Sequence, residues 1–275
     1  MKPRNFRNIN DLDSHFYDDL KTGNINDFVW LQPRMTTTIT GDIPTWQHPD
    51  ASVLEGERLI KKIYEAIRSS PIWENTLFII TYDEHGGFYD HVEPPAAVPP
   101  DNYVADNGFK FDKLGVRMPT IAISPWIDRS TVVSDALPNE KPTETSQFDS
   151  TSILATANIL LGVMSPPLSD RMGWANTFAT LVDSRETIRQ DCPMTLVELP
   201  EVTQDARLQM AKEQRAKPIN EHMESQMLFF CHQNYANDVE NCPGFALDNN
   251  QGEFSDWIRA EHDVFRTKLM KSMSS

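Results

Sequence analysis

The chain is poor in cysteine, short of basic residues and free of long apolar runs, and each shortage removes a class of protein. Its three cysteines, Cys192, Cys231 and Cys242, lack metal-binding spacing. Cys231 and Cys242 either pair in an oxidising compartment or stand as free thiols beside Cys192. Only 25 Lys and Arg face 40 Asp and Glu, a formal charge of −15, which argues against nucleic acid as a partner. No stretch approaches the roughly 18 consecutive apolar residues of a membrane-spanning helix. Met1-Lys2-Pro3-Arg4-Asn5-Phe6 lacks the apolar centre of a signal peptide. The expectation is a chain soluble as it stands, with secretion or peripheral membrane attachment open to a longer parent. Internal repeats and nucleotide-binding glycine loops are also missing. What is present is 275 residues with 39% apolar content, enough for one large domain, or a domain with an appendage, around a real core.

The most informative stretch is Thr76 to Pro95. Leu77-Phe78-Ile79-Ile80 is an unbroken apolar run, which predicts a strand buried on both faces of a parallel sheet. Asp83, Glu84, His85, Asp90 and His91 follow directly, at the strand end where open α/β sheets bind ligands. Gly86-Gly87 lets the backbone bend sharply after the acidic pair. Two adjacent carboxylates and a histidine can offer hard oxygens and a nitrogen to a divalent cation.

Around this strand the pattern predicts a β-α-β unit. Phe28-Val29-Trp30-Leu31 reads as a strand. Ser52-Val53-Leu54-Glu55 reads as a capping box, and Leu59, Ile60, Ile63, Tyr64 and Ile67 continue a helix to Arg68. A right-handed crossover then leads to residues 77–80. His48 precedes the helix, on the same sheet edge as Asp83 and Glu84, where a helix N-terminus favours phosphate. His48, Asp83 and Glu84 are therefore expected to converge in one cleft. Asn10 to Lys21 predicts a short helix ended by Gly23, and 36–44 a loop. A Pro-rich loop follows Pro94-Pro95, Thr120 to Ser124 predicts a third strand, and 147–161 a helix. Arg117, between apolar neighbours near a strand start, reads as a structural ion-pair partner.

Thr81-Tyr82-Asp83-Glu84-His85-Gly86-Gly87-Phe88-Tyr89-Asp90-His91-Val92 resembles the signature of the phosphoesterase family of non-specific phospholipases C and related acid phosphatases, in the alkaline-phosphatase-like superfamily. His48-Pro49, 109–127, Leu168 to Phe178 and Arg189 to Leu196 support the resemblance in the same order, the last two in their similarity to plant non-specific phospholipases C. It implies an α/β fold with an alkaline-phosphatase-like, mostly parallel sheet flanked by helices. Residues 1–200 would be the C-terminal part of a catalytic domain and 201–275 a helical extension, with helices over 206–217 and 254–273 and a loop over 234–252. Trp257, Ile258, Phe265 and Leu269 share one face of the last helix and read as packing.

The resemblance also implies phosphate-ester hydrolysis, of phospholipid head groups or small phosphate esters, with transient contact to a membrane surface. Asp83 and Glu84 would ligate a divalent metal ion of unspecified identity. His48, His85 and His91 would be catalytic, His48 as acid or phosphate contact. Ser150 stands where family members typically carry a histidine. The match covers only the second half of a family member, without the upstream metal segment or the Ser or Thr nucleophile. The expectation is an enzyme fragment, with a non-catalytic phosphate- or lipid-binding remnant, or an acid phosphatase of the same family, as the alternatives.

Overall fold

The structure, a computed structural model, describes residues 12–37, 42–162, 166–235, 241–246 and 250–274. The expectations for Asn10, and parts of those for 36–44 and 234–252, lie outside these residues, as do the side chains of Phe265 and Leu269. Two compact units divide the chain. One combines residues up to Tyr17 with Leu31–Glu65 and Thr195–Ser275, and the other combines Asp18–Trp30 with Ala66–Met194.

Helix α1 (Tyr17–Thr22) buries Leu20 and ends at Gly23, whose φ of 70° is left-handed. Helix α2 (Val53–Ser69) forms on the predicted apolar stripe, with Ile63, Tyr64 and Ile67 buried. Its expected capping box is not what Glu55 serves. The Glu55 carboxylate, only 5% exposed, pairs with Arg58 at 3.1 Å and Arg207 at 2.9 Å. The two arginines satisfy a buried charge that would otherwise be costly.

Strands β1 (Phe78–Thr81) and β2 (Thr120–Ile123) pair antiparallel, in register Phe78↔Ile123 through Thr81↔Thr120. The Thr81 and Thr120 hydroxyls meet at 2.9 Å. Both strands fall where the sequence predicts them, but the pairing corrects the parallel expectation. Parallel neighbours need a crossover, usually a helix, and the Gly- and Pro-rich chain between β1 and β2 forms none. β1 is half-buried rather than enclosed on both faces. The expected strand at 28–31 is also corrected: these residues form no strand, and Phe28, Val29 and Trp30 are exposed. With no strand before α2, the predicted β-α-β unit does not form among the described residues.

In the second unit, helix α3 (Thr151–Leu161) is started by Asp149, whose Oδ1 accepts from the Thr151 amide at 2.8 Å and the Thr151 hydroxyl at 2.6 Å. The short helix α4 (Asp170–Trp174) is capped by Ser169 and packs against α3. The first unit holds helices α5 (Gln204–Arg215), α6 (Glu221–Asn234) and α7 (Gln251–Ser274). Helices α6 and α7, with Cys242 between them, build a core from Met223, Met227, Cys231, Cys242 and Phe254, and α5 packs against α7. Trp257 and Ile258 pack against it, which is the packing role read from the sequence. Cys231 and Cys242 form a disulfide, and Cys192 is a buried free thiol. Among the described residues no helix is long and apolar enough to cross a membrane.

Candidate active site

The loop leaving β1 is shaped by its two glycines. Gly86 and Gly87 have φ of 69° and 71°, a left-handed conformation that costs other residues about 1–2 kcal/mol. The turn folds the Glu84 carboxylate back on its own loop. Glu84 Oε2 accepts from the Gly86 amide at 2.5 Å and stands 3.0 Å from His85 Nδ1. Burial pushes the Glu84 carboxyl up, but the bonds from His85 and the glycine amides outweigh it and hold the group below its ordinary value. Asp83 is exposed at the mouth of the loop.

Further along, Asp90 is gripped by Arg117, from Nε to Oδ2 at 2.8 Å and from Nη2 to Oδ1 at 2.7 Å. Its Oδ1 also accepts from the Val92 amide at 3.1 Å. Arg117 is thus the structural ion-pair partner that its position suggested. His91 is 78% exposed, with Nδ1 3.7 Å from Asp90 Oδ1. Arg117, rather than His91, orients Asp90.

His48 lies in the other unit, at the entry to α2. Gln47 before it has φ 65°, and its side-chain amide donates to Val53 O at 3.1 Å and Glu57 Oε1 at 2.9 Å. This kink anchors the turn on which His48 sits. The His48 ring stacks on Trp46, with centroids 4.6 Å apart, and its Nδ1 lies 2.6 Å from Asp50 Oδ1. Burial raises the Asp50 carboxyl, and hydrogen bonds from Gln251, Asn220 and His48 more than reverse it, leaving the group below its ordinary value.

The structure therefore groups Asp83, Glu84, His85 and His91 on one loop system and places His48 in a separate cluster with Asp50. Among the described residues no three His, Cys, Asp or Glu side chains gather where one metal ion could hold them together. Asp83 is exposed, and the Glu84 carboxylate is engaged within its own loop. Ser150 is exposed just before α3. Sequence reasoning passed over Asp50 and the buried Asp149–Arg171 pair, since isolated polar residues carry no periodic signal. Asp50, two residues after His48, was the one such position within reach of a local reading.

A model of the phosphoesterase family matches residues 2–164. Non-specific phospholipase C6 of Arabidopsis thaliana is 45% identical over 196 residues, covering 70% of this chain and 37% of that protein. Non-specific phospholipase C3 of the same plant is 42% identical over 207 residues, covering 72% and 38%. Hemolytic phospholipase C of Pseudomonas aeruginosa is 32% identical over 137 residues, covering 45% and 17%. The chain spans little more than a third of the length of these plant relatives.

Proposed function

This chain belongs to the phosphoesterase family, and from that premise we propose that it takes part in phospholipase C-like hydrolysis of a phosphate ester. The observation that carries the reading is the Asp83-Glu84-His85-Gly86-Gly87 loop, turned at the end of β1 by two left-handed glycines, in a chain similar to proteins named as phospholipases C. The substrate on this reading is a phospholipid head group or a small phosphate ester, reached through transient contact with a membrane surface.

Asp83 and Glu84 are the proposed ligands of a divalent cation, which when bound would polarise the phosphoryl group. They form part of its shell, and groups from the additional length of such longer proteins complete it. His48 is the proposed acid or phosphate contact, protonating the leaving alkoxide. His85, which shares the Glu84 carboxylate, and His91, exposed beside Asp90, are the further proposed catalytic residues. The want of a gathered ligand set among the described residues favours a second reading for the chain by itself, that of a phosphate- or lipid-binding protein.

Three proteins separate these readings: the 275-residue chain, the same chain joined to the part of phospholipase C6 outside the matched residues, and the joined protein carrying Asp83→Asn. Each is assayed on phosphatidylcholine vesicles and p-nitrophenyl phosphate with added divalent cation. The expected order is feeble turnover, restored turnover, and loss of most of it. Full turnover by the Asp83→Asn protein would remove Asp83 from the site. Phosphate or vesicle binding without turnover in either wild-type protein would establish the second reading.

A further inference from the structure

The two oxygens of Asp50 do different things. Oδ1 faces His48 Nδ1 at 2.6 Å. Oδ2 accepts from Asn220 Nδ2 at 3.1 Å and from Gln251 Nε2. The Asp50 carbonyl also accepts from Lys217 Nζ. Asn220 caps α6 and Gln251 opens α7, so a carboxylate beside His48 is held by residues 170 and 201 positions away.

Gln251 has no freedom to turn. It is 1% exposed. Its Nε2 donates to Pro218 O at 2.9 Å as well as to Asp50, while its Oε1 accepts from the buried Gln214 amide at 2.7 Å. A flipped amide would set Oε1 against both the Asp50 carboxylate and a carbonyl, and Nε2 against another donor. The Gln251 amide is therefore a fixed donor, and Oδ2 is fixed with it. That leaves Oδ1 aimed at the imidazole. A histidine whose Nδ1–H is given to a carboxylate is locked in one tautomer and one ring orientation. Trp46, stacked at 19° to the ring, confines it from the side.

We propose that Asp50 is a positioning residue for His48 and that Asn220 and Gln251, from the C-terminal helices, hold Asp50 in that role. The chemical consequence rests on the reading of His48 as acid or phosphate contact, but the positioning itself can be observed without turnover. The helical segment after residue 200 then acts on the candidate site through one carboxylate.

The test is imidazole ¹H–¹⁵N spectroscopy of the 275-residue chain, with Asp50→Asn, Gln251→Ala and Asn220→Ala as single variants and exposed His91 as internal reference. Wild type should show a His48 Nδ1–H shifted downfield of the His91 signal. Asp50→Asn, nearly identical in volume, should abolish that shift, and Gln251→Ala should weaken it while circular dichroism stays unchanged. A His48 signal untouched by Gln251→Ala and Asn220→Ala would overturn the link to the C-terminal helices. One untouched by Asp50→Asn would overturn the inference entirely.

In the joined protein of the turnover assay, Asp50→Asn should lower kcat by about tenfold or more with KM within about twofold. A lost spectroscopic signature with unchanged kcat would sustain the positioning and remove His48 from the chemistry.

Discussion

Arg117 and Asp90 are joined by two parallel bonds, Nε to Oδ2 and Nη2 to Oδ1, that clamp the loop after β1 to the segment leading into β2. Arg117, with the Val92 amide, holds the Asp90 carboxyl well below the usual carboxylate range. A depressed folded-state pKa means that the pair's contribution is present above the ordinary carboxylate value of about 4. It fades only as pH falls through the lower folded value. Arg117 is 61% exposed, so the effect is local. Arg117→Ala should speed proteolysis within residues 86–119 at neutral pH and leave the urea midpoint nearly unchanged. Equal cleavage rates would show that the clamp does not order the loop.

Arg171 does the opposite kind of work in a buried setting. Its side chain is 12% exposed and pairs with Asp149, 10% exposed, at 3.4 Å. It also donates to the carbonyls of Val98 and, at 2.6 Å, Phe111. Removing one partner of a buried pair costs about 3–5 kcal/mol. Arg171→Ala should therefore lower the unfolding free energy by about 3 kcal/mol or more, measured by urea denaturation. Arg171→Lys should recover only part, because a lysine cannot reproduce the three-way fork.

Two glycines make contrasting predictions. A Cβ on Gly87 would meet nothing within 4 Å, so Gly87→Ala should cost only the left-handed strain, about 1–2 kcal/mol, and Gly87→Asn less. A Cβ on Gly56 would lie 2.1 Å from Gln47 Cγ. Alanine normally stabilises a helix interior by about 1 kcal/mol over glycine, yet Gly56→Ala should destabilise and should shift the His48 spectroscopic signal as Gln47 moves. A stabilised Gly56→Ala chain would show that the Gln47 kink is not fixed.

The disulfide joins Cys231 and Cys242 across 11 positions, with both residues buried in the core of Met223, Met227 and Phe254. Closing a loop of this size stabilises by about 2–4 kcal/mol. Reduction, or paired Ser substitution, should lower the unfolding free energy of the unit holding α5 to α7 by that amount and shift its midpoint down. A midpoint insensitive to reductant would place the stability of these helices in their apolar packing alone.

Features with a local signature were legible in the sequence. The α2 stripe, the two strands and the need for Gly86-Gly87 follow from periodicity and backbone chemistry, and Arg117 was placed in its role by its apolar neighbours. The antiparallel pairing was not legible, because an apolar run of four residues fits either direction and the connection decides. Phe28 to Leu31 has strand-forming residues but no strand beside it to pair with among the described residues. The Asp50 cluster was the least accessible. Its members, at 50, 214, 217, 220 and 251, are single polar residues whose meaning exists only once α5, α6 and α7 are packed.

The unit holding His48 is assembled from early and late parts of the chain, Leu31–Glu65 and Thr195–Ser275. At about 5–20 residues per second, the roughly 130 residues between them take roughly 7–26 s to synthesise. Throughout that interval Glu55 and Asp50 lack Arg207, Asn220 and Gln251, and a carboxylate meant to be buried waits in water. The ribosome thus imposes an order on this unit: α2 emerges before α5, α6 and α7, and the partners at its N-terminal end are complete only once Gln251, at the start of α7, has left the exit tunnel.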